Sequence, residues 1–322
     1  MEISALSTQS LEKGLFRLAF NAMGTQCEIS YSAHSSKQAT DFREEILPWV
    51  KQFEQRYSRY QPDSLISQIN QMAGLDFVSL NQEDTRLFGL CDTLHFLTYE
   101  LFDPTTLPLA NLWDFKAKNP IVPEDKNIKS ALQLVGWKKV VREHNRVFLP
   151  TKGMGLDFGG FGKEYAVDRV IEKAQDHKIE NILVNFGGDI RTLGAPHSNS
   201  SWRIGVEDPS QPGQARFTLS ASNRAVATSG NYQRFFTHKN RRYSHLLNHR
   251  TGYPASNRLT SSTVTAKTCL EAGILATCSL IEGKKEGLSL IEKFFGAEGC
   301  IWTDSGMIWT NNFNEYTIYD EN

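Results

Sequence analysis

The chain has 322 residues, of which 40% are hydrophobic, 22% charged and 11% aromatic; disordered chains carry few aromatics and a larger charge imbalance, so that class is excluded. Lys plus Arg number 35 and Asp plus Glu 36, a net charge of −1, and without a basic block nucleic acid is not expected as a partner. The length is enough for one large domain or two of moderate size.

Residues 1–17 are read as a flexible N-terminal segment. Met1 to Ser7 has neither a cationic start nor an apolar run, so no secretory signal is expected in the chain as given and the compartment is expected to be the cytoplasm. No run of about 18 apolar residues occurs, and no membrane span is expected. Phe20–Tyr31 alternates like one strand, kinked at Met23-Gly24-Thr25. Phe42, Ile46, Leu47, Val50 and Phe53 predict a helix over 40–56, and Leu87, Leu90, Leu94 and Leu97 a second over 83–100. Pro104, Pro108, Pro120 and Pro123 forbid long regular structure over 102–123, which reads as a structured loop apolar enough to pack on something.

Ile182–Phe186 is a short apolar run ending in Gly187-Gly188, as a buried strand would. Further strands are expected at Trp202–Val206, Arg216–Leu219 and Ala225–Thr228, helices at 163–176 and 268–282, and a hairpin joining Cys300–Thr303 to Met307–Thr310. This mixture predicts an α+β fold. Cys27, Cys91, Cys269, Cys278 and Cys300 form no C-x-x-C pair and are odd in number, so they are expected to be buried thiols rather than disulfides or zinc ligands.

Three glycine turns could carry chemistry. Asp157-Phe158-Gly159-Gly160-Phe161-Gly162-Lys163 precedes a helical pattern, and a helix starting near 163 aims free N–H groups at the turn, a natural phosphate seat. It is not a P-loop, because Asp157 stands where glycine is needed, nor a dinucleotide fingerprint, because Tyr165 does. Tight packing alone would also account for the glycines. Asn185-Phe186-Gly187-Gly188-Asp189 and Ala227-Thr228-Ser229-Gly230 are the others; together the three suggest a pocket for an extended polyanion. In Tyr243–Pro254, His245 could serve as a base near neutral pH. His249 lies four residues on, about 13 Å away along a strand, too far to share a metal. Thr268 and Glu271 have capping-box spacing.

In this order the segments resemble the FAD:protein FMN transferase (ApbE-like) family. The resemblance is carried by Met23-Gly24-Thr25, Tyr57-Ser58-Arg59-Tyr60 with Asn70, Phe102-Asp103-Pro104-Thr105, Asp157 to Asp168, Asn185 to Asp189, Trp202, Asp208-Pro209, Ala227 to Gly230, Ser244-His245 with Arg250-Thr251-Gly252, and Ala276-Thr277. It implies a T-fold-like α+β architecture, a single large two-lobed domain over 18–312, with 313–322 as a C-terminal tail. It also implies splitting of FAD at its pyrophosphate, transfer of FMN to a threonine of a target flavoprotein, and loss of AMP. Met23, Tyr60, Leu101, Phe102, Asp103, Asp157, Lys163 and Leu247 would bind FAD, and His245 would activate the threonine.

A magnesium site is implied at the Gly160 carbonyl and Thr277. Here the chain departs from the family pattern, since Gly273 stands where an aspartate is expected and Ala276 where some members have a second carboxylate. Glu271 points about 200° away around the helix. Leu107 also replaces a usual glycine, and Asn248-His249 a usual Asp-Pro. A non-catalytic FAD-binding protein, or a hydrolase giving free FMN and AMP, is the alternative that Gly273 raises.

Overall fold

The computed structural model describes residues 7–318 except 13, 116, 197–199, 212, 233 and 257. The chain begins with strands Ser7–Glu12 (β1), Leu15–Ala22 (β2) and Thr25–Ser32 (β3), then helices Ser36–Tyr57 (α1) and Leu65–Gln71 (α2). Strand Val78–Ser79 (β4) precedes helices Gln82–Leu97 (α3), Leu107–Trp113 (α4) and Asp125–Leu132 (α5), and strands Val141–Glu143 (β5) and Arg146–Phe148 (β6). Helix Gly162–Asp176 (α6) leads into Ile182–Phe186 (β7), Asp189–Leu193 (β8), Trp202–Glu207 (β9), Ala215–Ala221 (β10) and Ala225–Gly230 (β11). Two hairpins follow, Phe235–His238 (β12) with Arg241–Ser244 (β13) and Leu247–Asn248 (β14) with Tyr253–Pro254 (β15). Leu259–Ala266 (β16), helices Cys269–Glu282 (α7) and Lys284–Glu292 (α8), Glu298–Thr303 (β17), Gly306–Trp309 (β18) and Thr317–Ile318 (β19) complete the described fold.

Nine strands form one sheet in the order β1-β2-β3-β7-β8-β11-β16-β17-β18, antiparallel at every pairing. Strand periodicity divides its two faces. Ala225 and Ala227 pack with helical residues such as Tyr165, Ala272 and Ala276. Val226, between them, packs instead with Ile204, Leu219 and Phe313, under a small sheet of order β19-β10-β9. A third cluster gathers Leu109, Trp113, Ile128 and Phe236, joining α4 and α5 to the two hairpins as a smaller lobe.

The helices follow from local chemistry. Ser35 caps α1 by accepting from the Gln38 amide, and Phe42, Ile46, Val50, Phe53 and Tyr57 supply its buried face. The capping box at Thr268 and Glu271 is present. Asp168 of α6 accepts from the amides of Cys269 and Leu270 at 2.8 and 2.9 Å and from Arg191 at 2.8 Å, so α6 holds the start of α7. All five cysteines are free and buried.

Several expectations need correction. Residues 20–31 are not one kinked strand but the two arms of a hairpin, because Met23 and Gly24 both take positive φ, 51° and 72°, as a two-residue turn requires. The 102–123 loop contains α4, whose Pro108 lies in the first turn where a missing N–H costs nothing. Helix α3 ends at Leu97, which is exposed. In the segment read as flexible, Ser7–Glu12 pairs with β2; residues 1–6 and 13 lie outside the described residues. The segment read as a tail starts with fully buried Phe313 and adds β19 to β10, while 319–322 lie outside the described residues.

Candidate active site

Antiparallel pairing gathers the glycine turns at one end of the large sheet. The Met23-Gly24 turn joins β2 to β3, and Gly187-Gly188 joins β7 to β8. The two touch: Gly187 donates its amide to the Gln26 carbonyl at 3.1 Å, while Asn185 Oδ1 closes the second turn by accepting from the Gly188 amide at 2.8 Å. Strand β11 runs antiparallel to β8 and ends at Gly230, at the same end, where β16 begins at Leu259. The whole excursion 231–258, with His245 on it, hangs from that end.

The first glycine turn arrives through α6, which starts at Gly162 with no side-chain cap; the Gly162 amide donates to the Phe158 carbonyl at 2.7 Å, and the next amide, that of Lys163, is the one positioned for an anion. Gly159 and Gly160 are exposed, and a Cβ at Gly160 would meet nothing within 4 Å. Lys163 is ion-paired with Asp189 at the start of β8. Burial works against the Lys163 ammonium, but the Glu164 and Asp189 carboxylates outweigh it and raise its pKa, so the lysine stays charged.

Asp157 draws three of the predicted segments together. Its Oδ2 lies 2.9 Å from Nε of Arg59, its Oδ1 accepts from the Gly159 amide at 2.9 Å, and its own amide donates to the Pro104 carbonyl at 2.9 Å. Next to it, Asn70 exchanges two hydrogen bonds with the Leu156 backbone, at 2.6 and 3.0 Å. Tyr60 is 62% exposed, with the Arg59 guanidinium 4.4 Å from its ring centroid. Met23 donates its amide to Glu54 at 2.9 Å.

Other predicted ligands are engaged inside the protein. Leu101 and Phe102 are buried, the Phe102 ring meeting Phe161 edge-on at 5.0 Å. Asp103 Oδ1 accepts from Thr105, and Oδ2 from the Trp137 amide at 2.8 Å, so its carboxylate shapes the loop. Leu247 packs on the Trp113 cluster. His249 lines a cavity of about 220 Å³ with His95, Asp103 and Trp137.

His245 follows β13. Its Nδ1 lies 3.2 Å from the Arg234 carbonyl; a carbonyl only accepts, so Nδ1 carries the proton and Nε2 presents its lone pair. Burial, aided by the Arg234 charge, lowers its pKa, which keeps the ring neutral. A neutral imidazole with Nε2 unprotonated is the form a general base requires.

The donor set implied for magnesium is one carboxylate short. Gly273 contributes no side chain, Thr277 Oγ1 bonds to Ser229 at 3.2 Å, and no group of three His, Cys, Asp or Glu able to hold a metal occurs among the described residues. One buried carboxylate oxygen among them is left without a partner, Oε2 of Glu164. A hard oxygen donor in that state suits a divalent cation. Residue-by-residue reading of the motif passed over Glu164: the acid beside Lys163 at a helix start stood in the sequence, but its closeness to Gly273 appears only in the fold.

The turns of one antiparallel sheet, one helix start without a side-chain cap and a histidine on the 231–258 excursion are thus gathered in an α+β protein. The family model described as the ApbE family matches residues 23–301, and the chain belongs to that family. It is 30% identical over 274 residues to the FAD:protein FMN transferase of Vibrio cholerae serotype O1, covering 84% of this chain and 82% of that one. The protein of the same name from Haemophilus influenzae is 27% identical over 304 residues, 91% and 88% of the two chains. Among solved structures, the ApbE protein of Thermotoga maritima superposes with a TM-score of 0.85 at 30% identity, covering 95% of this chain and 100% of that one. The flavin transferase ApbE from Vibrio cholerae gives 0.82 at 26% identity, covering 96% and 100%. The α+β fold expected from the sequence is thereby established.

Proposed function

We propose that the chain is an FAD:protein FMN transferase, which cleaves FAD at the pyrophosphate, joins FMN through a phosphoester to a threonine of an acceptor flavoprotein, and releases AMP. The observation that carries this reading is the meeting, at one sheet end, of the 23–24 and 187–188 turns, the α6 start and the hairpins bearing His245. Backbone N–H groups and a charged Lys163 suit a pyrophosphate. Asp157 would hold the Arg59–Tyr60 segment and the glycine turn in one arrangement, with Tyr60 and Met23 against a flavin or adenine ring. Leu101, Phe102, Asp103 and Leu247 would shape the walls behind them. His245 Nε2 would take the threonine proton as the hydroxyl oxygen attacks phosphorus.

Magnesium, when bound, would offset charge developing on the pyrophosphate; the Gly160 carbonyl and Thr277 would contribute to holding it. No described helix is long and apolar enough to cross a membrane, and the free buried thiols suit the reducing cytoplasm, the compartment we assign.

The test is incubation of the purified chain with FAD, Mg²⁺ and an acceptor domain carrying a target threonine. Flavin fluorescence that survives denaturing electrophoresis, with stoichiometric AMP, is the expected result. FAD binding with no covalent product would replace the reading with that of a non-catalytic FAD-binding protein, which the missing side chain at 273 favours. Free FMN with AMP would make it a hydrolase.

A further inference from the structure

Glu164 and Gly273 fit each other. A Cβ built on Gly273 would lie 2.6 Å from Cγ of Glu164 and 2.8 Å from its Oε1, closer than packed atoms come. The Glu164 side chain therefore occupies the volume that any larger residue at 273 would need. Helix register brings them together. Asp168 of α6 receives the first amides of α7; one turn back along α6 and one turn on along α7 lead to 164 and 273. Another turn on along α7 leads to Thr277, and the turn that carries Gly160 immediately precedes the start of α6 at Gly162.

Glu164 is 6% exposed, and its Oε2 has no hydrogen-bond partner. Lys163 feels the Glu164 charge across space but makes its ion pair with Asp189, which leaves Oε2 without a donor. Burying an acid with one oxygen unsatisfied is unfavourable, and packing alone gives no reason to prefer it over an apolar residue. A divalent cation supplies the reason. Magnesium commonly takes one or two carboxylates and fills its remaining positions with neutral oxygens, water and substrate phosphate.

We propose that Glu164 is the carboxylate ligand of a divalent cation in this chain, delivered from α6 into the space left by Gly273, with Thr277 and the Gly160 carbonyl as neutral partners. The acid that the family resemblance places on the late helix has moved to the facing one. The inference rests on the flavin-transfer reading for the cation's purpose, not for its ligands.

The test measures cation binding directly, by Mn²⁺ electron paramagnetic resonance and calorimetry on the full chain, with and without FAD. The natural protein is expected to bind Mn²⁺, and Glu164→Gln, nearly isosteric, to weaken binding at least about tenfold with an unchanged circular dichroism spectrum. Gly273→Ala removes no ligand atom but displaces Glu164, so it is expected to weaken binding as well. The double variant Glu164→Gly with Gly273→Asp is expected to recover it. Equal Mn²⁺ affinity in the natural protein and Glu164→Gln, or no Mn²⁺ binding by the natural protein in either condition, overturns the proposal. Covalent flavin transfer that persists beside unchanged Mn²⁺ binding in Glu164→Gln would refute the ligand and leave the transferase reading standing. Glu164-dependent Mn²⁺ binding with no transfer would do the reverse.

Discussion

Asp157 and Arg59 are joined by an ion pair of 2.9 Å, and through it the glycine turn before α6 is fixed to the segment that presents Tyr60. Both side chains are partly exposed, at 20% and 23%, so the pair itself contributes little to stability, roughly 0–1 kcal/mol. Its effect is on arrangement. Asp157→Ala is expected to leave the thermal midpoint nearly unchanged while weakening FAD binding about tenfold, a loss of about 1.4 kcal/mol. Flavin fluorescence titration beside a melting curve measures both. A large drop in melting temperature with unaltered FAD affinity would show the pair to be a fold contact only.

His245, as the proposed base, is expected to set the acid limb of activity. Its folded pKa lies below the ordinary 6.5 because burial disfavours the imidazolium. The neutral, base-competent form therefore predominates at pH 7 and is lost as pH falls through that lowered value. The kcat/KM profile for transfer should be level through neutrality and decline with a midpoint below 6.5. His245→Ala should abolish that limb and lower the rate by roughly 10²–10⁴. An acid limb that survives in the variant would assign the proton transfer to another group.

Asp168 carries structural weight one turn along α6 from Glu164. It is buried and receives two helix-start amides and one guanidinium, and its removal strands all three. Asp168→Ala is expected to cost about 3 kcal/mol, read as a lower urea midpoint at constant slope. Because Asp168 sets the register of α6 against α7, the variant should also weaken Mn²⁺ binding. A cost below about 1 kcal/mol would mean that Thr268 and Glu271 hold the start of α7 without it.

The sequence conveyed the fold wherever one local rule acted alone. The spacing of Phe42, Ile46, Val50 and Phe53 marked α1, and Thr268 with Glu271 marked the start of α7 before any neighbour was known. It misled where two rules competed. The alternation over 20–31 is continuous across Met23-Gly24, and only the positive φ values turn the strand back on itself. Pro108 read as a breaker, although the first turn of a helix tolerates it. The candidate site was legible as a set of motifs, because Asp157, Lys163 and His245 each stand in a recognisable run. The partnership of Glu164 with Gly273 was not, since it exists only across two packed helices more than a hundred residues apart in the chain.

Phe313 has a consequence for how the molecule is made. It is fully buried beneath β9 and β10 and meets Phe217 edge-on at 6.0 Å. A ribosome releases those strands long before it reaches position 313, so during synthesis part of their apolar underside, the part Phe313 fills, waits uncovered, a state prone to aggregation. Chains stopped just short of Phe313 would be trapped there, with every turn of the candidate site already translated and the layer beneath β9 and β10 left incomplete.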